Sequence, residues 1–215
     1  QVTLNQSGGE AFHFMSIAND TKRWVSKYDT RTAKEVGRYW SVIPRDCSSS
    51  DGPPCTGGKD NQLRPNASRS YHPSRTAIDL FGNVWVANRG VDDQGSVTKI
   101  ANDPSSCIDR NGNGTIETSS DLDNDGVIDA NEMVTPNDWL DAKKYDECVL
   151  FTTPLGGTSG IGPRALAISV GFEGTSGDVW VGVHNEKKVV KLNASNGQPA
   201  PLSSTNSNTS IALGF

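Results

Sequence analysis

The chain is poor in the residues that build helical cores and reactive centres. Of its 215 residues, two are methionine, three histidine and four cysteine, and only 34% are hydrophobic. No apolar run approaches the ~20 residues that a membrane-spanning helix needs, and the N-terminus lacks the basic start and apolar middle of a signal peptide. The chain as given is therefore expected to be soluble and processed. Positive charge is scarce as well: 20 Lys and Arg face 25 Asp and Glu, for a net charge of -5. Without a broad basic face to track phosphates, nucleic acid is not an expected partner. No nucleophile elbow, phosphate loop or zinc-protease motif occurs.

Glycine is abundant, at 22 residues, alongside many Ser, Thr and Asn, a composition that favours strands and turns. We expect one all-β domain spanning residues 1–215, long enough for a substantial core. Its strongest organising signal is a repeated pair of strands. The three copies read FMSIAND with WVSKYDTRTAKEV, NVWVANRG with SVTKIAND, and DVWVGVHN with VVKLNASNGQ. Ile17, Val86 and Val181 fall in matching places. The second members, beginning at Val25, Val97 and Val189, align with period-two alternation, which predicts half-buried antiparallel strands with lysines on one face. Upstream of the second and third copies lie PSRTAIDLFG and GPRALAISVG, so the unit is at least a three-strand meander. Trp-centred meanders with glycine turns suggest radial blades, because each sheet leaves an apolar face that only a neighbouring sheet can bury.

The negative charge has one address. Residues 109–132 carry seven carboxylates against one arginine. Within them, DLDNDGVIDANE places Asp121, Asp123, Asp125, Asp129 and Glu132 at loop positions one, three, five, nine and twelve, with Gly126 at six. That is the spacing of an EF-hand-type calcium loop, in which the Val127 carbonyl adds a ligand and Glu132 closes the sphere with two oxygens. Hard oxygen donors in this number suit calcium rather than zinc or copper. The preceding DRNGNGTIETSS repeats the design with Asp109, Asn111, Asn113, Thr115 and Glu117, but has Ser120 at the twelfth place, and is the weaker site. Asp121 follows directly and is a candidate bridge between two ions. The alternative is a solvated acidic loop. We expect a calcium-binding insertion at residues 101–150, one site with a second behind it, acting as a structural clamp.

Cys47 and Cys55 enclose a short Ser/Gly/Pro loop, and Cys107 and Cys148 flank the acidic segment. Four cysteines allow three connectivities. The expected pairing closes each insertion at its base and implies an oxidising compartment. Metal-binding thiols are the alternative, but no CxxC spacing or neighbouring histidine supports them.

On the residues PSRTAIDLFGNVWVANRG, GSVTKIA, ECVLFTTPL and GPRALAIS, the chain resembles the streptogramin-lyase-like and NHL-like β-propeller proteins of bacteria. The resemblance implies a propeller fold and says little of activity. About three blades are recognisable, whereas closed propellers have four to eight. VTLNQ and SIALGF complete further sheets, or the chain is a fragment, or another subunit closes the edges. The two acidic loops, head to tail without a helix between them, resemble dockerin and thrombospondin type-3 calcium repeats more than a paired EF-hand.

Lyases of this kind carry histidine near the start of inner strands, where this sequence has Arg75 and Arg164. These arginines are candidates to face a central channel, or to satisfy loop carbonyls. His184 with Glu186 resembles the lyase histidine–glutamate chemistry only in part, and His13, His72 and His184 are each assigned structural or exposed roles rather than catalytic ones. Of the tryptophans, Trp24, Trp40, Trp85 and Trp180 are candidate binding platforms, with core packing the expectation for Trp85 and Trp180. The sequence thus points to a secreted, cell-surface or periplasmic bacterial protein with a structural or interaction role, assembling with itself or another extracellular protein. A lyase or hydrolase, and a carbohydrate- or peptide-binding module, are the alternatives.

Overall fold

The computed structural model describes residues 13–41, 72–90, 95–134, 145–157, 160–169 and 177–214. These form an all-β structure whose helical content is a single 3-10 turn at Pro104–Ser106. Three antiparallel sheets follow one another along the chain. The first contains β1 (Phe14–Asn19), β2 (Trp24–Asp29) and β3 (Lys34–Trp40) in that order. The second is a four-strand meander of β4 (Pro73–Ile78), β5 (Val84–Asn88), β6 (Ser96–Ile100) and β7 (Val149–Pro154). The third is another, of β8 (Pro163–Ile168), β9 (Val179–Val183), β10 (Lys188–Leu192) and β11 (Ser210–Ala212).

The alternation of small, apolar and β-branched residues sets both the strands and their register. Val86 lies opposite Thr98 and Val181 opposite Val190, as Ile17 lies opposite Ser26, so the matching read from the three copies is also the matching of the pairing. The packing repeats with it: β1 sits against β4 as β5 sits against β8, and β4 touches β8. Val25 and Tyr39 of the first sheet share a core with Val84, Val86, Ile100 and Val149 of the second. Trp85 and Val97, from the opposite face of the second sheet, share another with Val179, Val181, Val183, Val190 and Leu192 of the third.

Three expectations change. The repeat unit gains a fourth strand, because ECVLFTTPL supplies β7 and SIALGF supplies β11, which completes the third sheet rather than starting a new one. VTLNQ lies outside the described residues. Half-burial holds for β10 around Lys191 but not for the other lysines: every residue of β5 and β6 is buried, and Lys27 and Lys99 are 6% and 7% exposed. A neighbouring sheet covers the lysine faces of the first and second sheets, and the ammonium groups of Lys27 and Lys99 are satisfied inside. Lys99 Nζ lies 3.3 Å from Asp79 Oδ2, donates to the Ala194 carbonyl at 3.0 Å and sits over the Trp85 ring. Burial lowers the Lys27 ammonium to about 8, partly offset by the Asp103 carboxylate.

Arg75 and Arg164 are not counterparts. Arg75 lies opposite Ala87, the place that Ala165 takes opposite Gly182, whereas Arg164 falls with Ser74 in the bulge of its strand. One residue of offset in a strand turns a side chain to the other face, so the two do not form a matched pair on one channel wall. Arg75 is exposed, and its Nη1 donates to the Ser74 carbonyl at 2.7 Å.

Candidate metal centre

The acidic segment leaves the second sheet after Ile100 and returns at Val149, the residue paired with Ile100. The Ala101 N–H bonds to the Cys148 carbonyl at 2.8 Å, and a disulfide joins Cys107 to Cys148 across a sequence separation of 41 residues. The insertion therefore begins and ends at the tip of one β-hairpin. Cys47 and Cys55 lie outside the described residues.

Residues 121–132 wrap into a cup. Gly126 adopts φ +93°, open to glycine at little cost, and its N–H donates to Asp121 Oδ2 at 3.0 Å. The N–H groups of Asp125 and Val127 bond to the carboxylates two residues before them, at 3.1 and 2.7 Å. At the far end, Glu132 Oε1 accepts from the Leu122 and Asp123 N–H groups, and Oε2 from that of Asp129. These bonds, led by the one from Asp129, hold the Glu132 carboxyl below the usual range. Asp121, Asp123 and Glu132 thereby bring carboxylate oxygens within 4.8 Å of one another, a group able to hold a metal ion. Asp121 Oδ1 is buried and has no hydrogen-bond partner among the described residues. A buried carboxylate oxygen left unmatched is costly unless a cation or water completes it. Asp125 and Asp129 are exposed and bond to nearby backbone, Asp129 Oδ1 accepting from Asn131 N–H, and neither belongs to the three-carboxylate group.

Loop 109–120 has the same winding with a different interior. Asp109 Oδ1 accepts from Gly112 and Asn113 and Oδ2 from Gly114, and these bonds, that from Gly114 foremost, keep its carboxyl low. The Asn111 and Asn113 amides donate to the two oxygens of Glu117 at 2.9 and 2.6 Å. The Asn113 bond leads in holding Glu117 low. Two side-chain amides thus satisfy both oxygens of the acid at the ninth place of this loop. The Thr115 N–H caps Asn113 Oδ1 at 2.8 Å.

Sequence reasoning missed the groups that seat these loops. Glu147, fully buried, accepts from the Arg110 N–H at 2.7 Å and the Glu117 N–H at 3.0 Å. Asp146, 3% exposed, accepts from the Ser119 N–H and hydroxyl at 2.8 and 2.9 Å. Burial pushes the Asp146 carboxyl up, against the Ser119 and Cys148 amides that favour its ionised form. Arg110 fastens the base by donating to the carbonyls of Asp146, Val149 and Leu150.

The second loop is also tied to a different sheet. The Glu35 N–H on β3 donates to the Gly126 carbonyl at 2.9 Å, Glu35 Oε2 accepts from the Ile128 N–H at 3.0 Å, and Lys34 Nζ donates to the Asn124 carbonyl at 2.8 Å. Glu35 is 1% exposed, Ile128 is 0% exposed, and Arg38 binds both Glu35 oxygens at 2.8 and 2.5 Å. Burial works to raise the Glu35 carboxyl, but the Arg38, Ser26 and Ile128 bonds together hold it lower than usual. Loop 121–132 is rooted in the second sheet and seated on the first. No short-range sequence signal marks Glu35, because its partner lies 93 residues away.

The other candidates are dispersed. His184 is exposed, and Glu186 pairs with Lys188 at 2.6 Å. His72 Nδ1 meets Asp20 at 3.1 Å, and His13 is exposed. Trp85 is fully buried, Trp180 is half-buried under Lys191, and Trp24 packs edge-on against Trp40 beneath Arg38. Compared with protein families, with curated proteins and with solved structures, the chain gives no match.

Proposed function

We propose that the chain is an extracellular, calcium-stabilised module of propeller-type sheet packing, with a structural or interaction role rather than a catalytic one. The observation that carries this reading is the convergence of Asp121, Asp123 and Glu132 around a buried, unpartnered Asp121 oxygen, in a loop hydrogen-bonded to another sheet. Three carboxylates form a hard, flexible oxygen set, the chemistry calcium takes in preference to softer metals. The ion would neutralise a self-repelling loop and so fasten the first sheet to the second.

The propeller reading is supported by three consecutive meanders in which β1 stacks on β4 as β5 stacks on β8. The Cys107–Cys148 bridge supports an oxidising compartment. Abundant extracellular calcium matches a site of Kd ~10⁻⁴ to 10⁻³ M.

The test is isothermal titration of calcium into the chelator-washed chain, with magnesium as competitor and Asp121→Asn as control. Saturable calcium binding that magnesium displaces poorly, and that Asp121→Asn abolishes, is the expected result. No saturable heat, or equal binding by Asp121→Asn, overturns the reading.

A further inference from the structure

The three sheets point the same way. On one face of each, a lysine lies opposite a fixed partner: Ser16 opposite Lys27, Trp85 opposite Lys99, and Trp180 opposite Lys191. Next to these, Ala18 lies opposite Val25, Ala87 opposite Val97, and Gly182 opposite Val189. The reverse faces also correspond, with Met15, Val84 and Val179 in one place and Ile17, Val86 and Val181 in the next.

The lysine faces of the first and second sheets each pack against the reverse face of the following one. Val25 meets Val84 and Val86, and Val97 and Trp85 meet Val179 and Val181. A polar contact repeats in step. Lys27 Nζ donates to the Asn102 carbonyl at 2.5 Å, and Lys99 Nζ to the Ala194 carbonyl at 3.0 Å. Each acceptor lies three residues past the lysine of its own sheet, Lys99 in one case and Lys191 in the other.

One face of each kind is left over among the described residues. On the reverse face of the first sheet, Met15 and Ile17 are 48% and 45% exposed, where Val86 and Val181 are 0% exposed. On the lysine face of the third sheet, Trp180 and Val189 are half-buried and Ile211 is 49% exposed, where their counterparts Trp85 and Val97 of the second sheet are fully buried and Thr153 is 4% exposed. Lys191 reaches no following sheet and turns to Asp178 Oδ1 at 3.1 Å and the Leu202 carbonyl at 3.4 Å.

We propose that these two faces bind each other between copies of the chain, the reverse face of the first sheet in one copy covering the lysine face of the third sheet in a second. The same pair of faces already buries itself twice within one chain, and the contact between copies continues that series. The contact is heterologous, between different surfaces, so it closes only if the rotation brings the remaining pair together. Two copies joined on both sides gather six sheets, within the four to eight of closed propellers. In that arrangement Lys191 meets the carbonyl of Thr30 in the second copy, the residue matching Asn102 and Ala194. The inference rests on the propeller-type packing proposed above and not on the ion.

The test is sedimentation of the full chain and of Ile17→Lys and Val189→Lys, each with calcium and with chelator. Circular dichroism establishes that both variants are folded. The wild type is expected at twice the monomer mass and each variant at the monomer mass, because each spoils one of the two complementary faces. An equimolar mixture of the variants is expected to return to the dimer mass, since one intact face of each kind remains. A monomeric wild type overturns the proposal, as does a mixture of folded variants that stays monomeric. Dimers that persist where calcium binds nowhere overturn the ion reading and leave this one standing.

Discussion

Glu35→Ala removes the carboxylate through which loop 121–132 is seated on β3. Arg38, with a side chain 14% exposed, loses both acceptors, and the Ile128 N–H loses its own. Removing one member of a buried ion pair costs about 3–5 kcal/mol, because the other charge stays behind without compensation. Set against a total stability of about 5–15 kcal/mol, that is a large fraction. At about 2–4 °C per kcal/mol for a chain of this size, melting should fall by roughly 6–20 °C. The assay is thermal unfolding followed by near-ultraviolet circular dichroism, where Trp24 and Trp40 report on the first sheet. The same deletion frees residues 126–128, so calcium affinity should weaken and the gap between melts with calcium and with chelator should narrow. Glu35→Leu with Arg38→Met should recover part of the loss, since neither charge then remains buried. A Glu35→Ala chain that melts like the wild type, or that melts lower yet binds calcium equally well, refutes the reasoning.

The low Glu35 carboxyl adds a pH dependence: its stabilisation is complete above the ordinary value of 4.5 and disappears as pH falls through the lower folded value, a slope that acid titration should find missing in Glu35→Gln. Lys27 gives the same sign in an alkaline window, since its folded value of about 8 lies below the ordinary 10.5 and burial disfavours its charged form. Stability should therefore rise with pH between them, and Lys27→Met should lack that rise in denaturant melts across the range. Gly126→Ala places a side chain at φ +93° with its Cβ 3.2 Å from Lys34 Cγ, and should cost about 1–2 kcal/mol by thermal melt and weaken calcium binding by titration. Opening the Cys107–Cys148 bridge by Cys107→Ala with Cys148→Ala frees a loop of 41 residues, and should cost about 4 kcal/mol by the loop-entropy relation, read by chemical denaturation.

The sequence made much of the fold legible because the repeat carries its own register. Ile17, Val86 and Val181 occupy one place in both the alignment and the pairing, since period-two alternation fixes which face is buried. What period two cannot report is whether the second face is covered too. Lys27 and Lys99 read as solvent-facing, yet sheet stacking buries them against carbonyls from a later part of the chain. Arg75 and Arg164 looked equivalent because their segments align closely, and a one-residue offset at a bulge separates them. The cluster of Asp121, Asp123 and Glu132 was legible because its members lie within twelve residues, with glycine at the turn. Its seat was not: Glu35, Asp146 and Glu147 act over separations of 93, 27 and 30 residues, where spacing carries no signal.

The central claim is that a cation in loop 121–132 fastens the first sheet to the second. Hydrogen exchange with and without calcium tests it most directly, read at the amides of Glu35, Gly126 and Ile128. The account predicts that calcium slows exchange both in the loop and along Lys34–Trp40, because the Glu35 N–H and the Ile128 N–H close the same junction. Protection gained in the loop alone, or in neither segment, contradicts it.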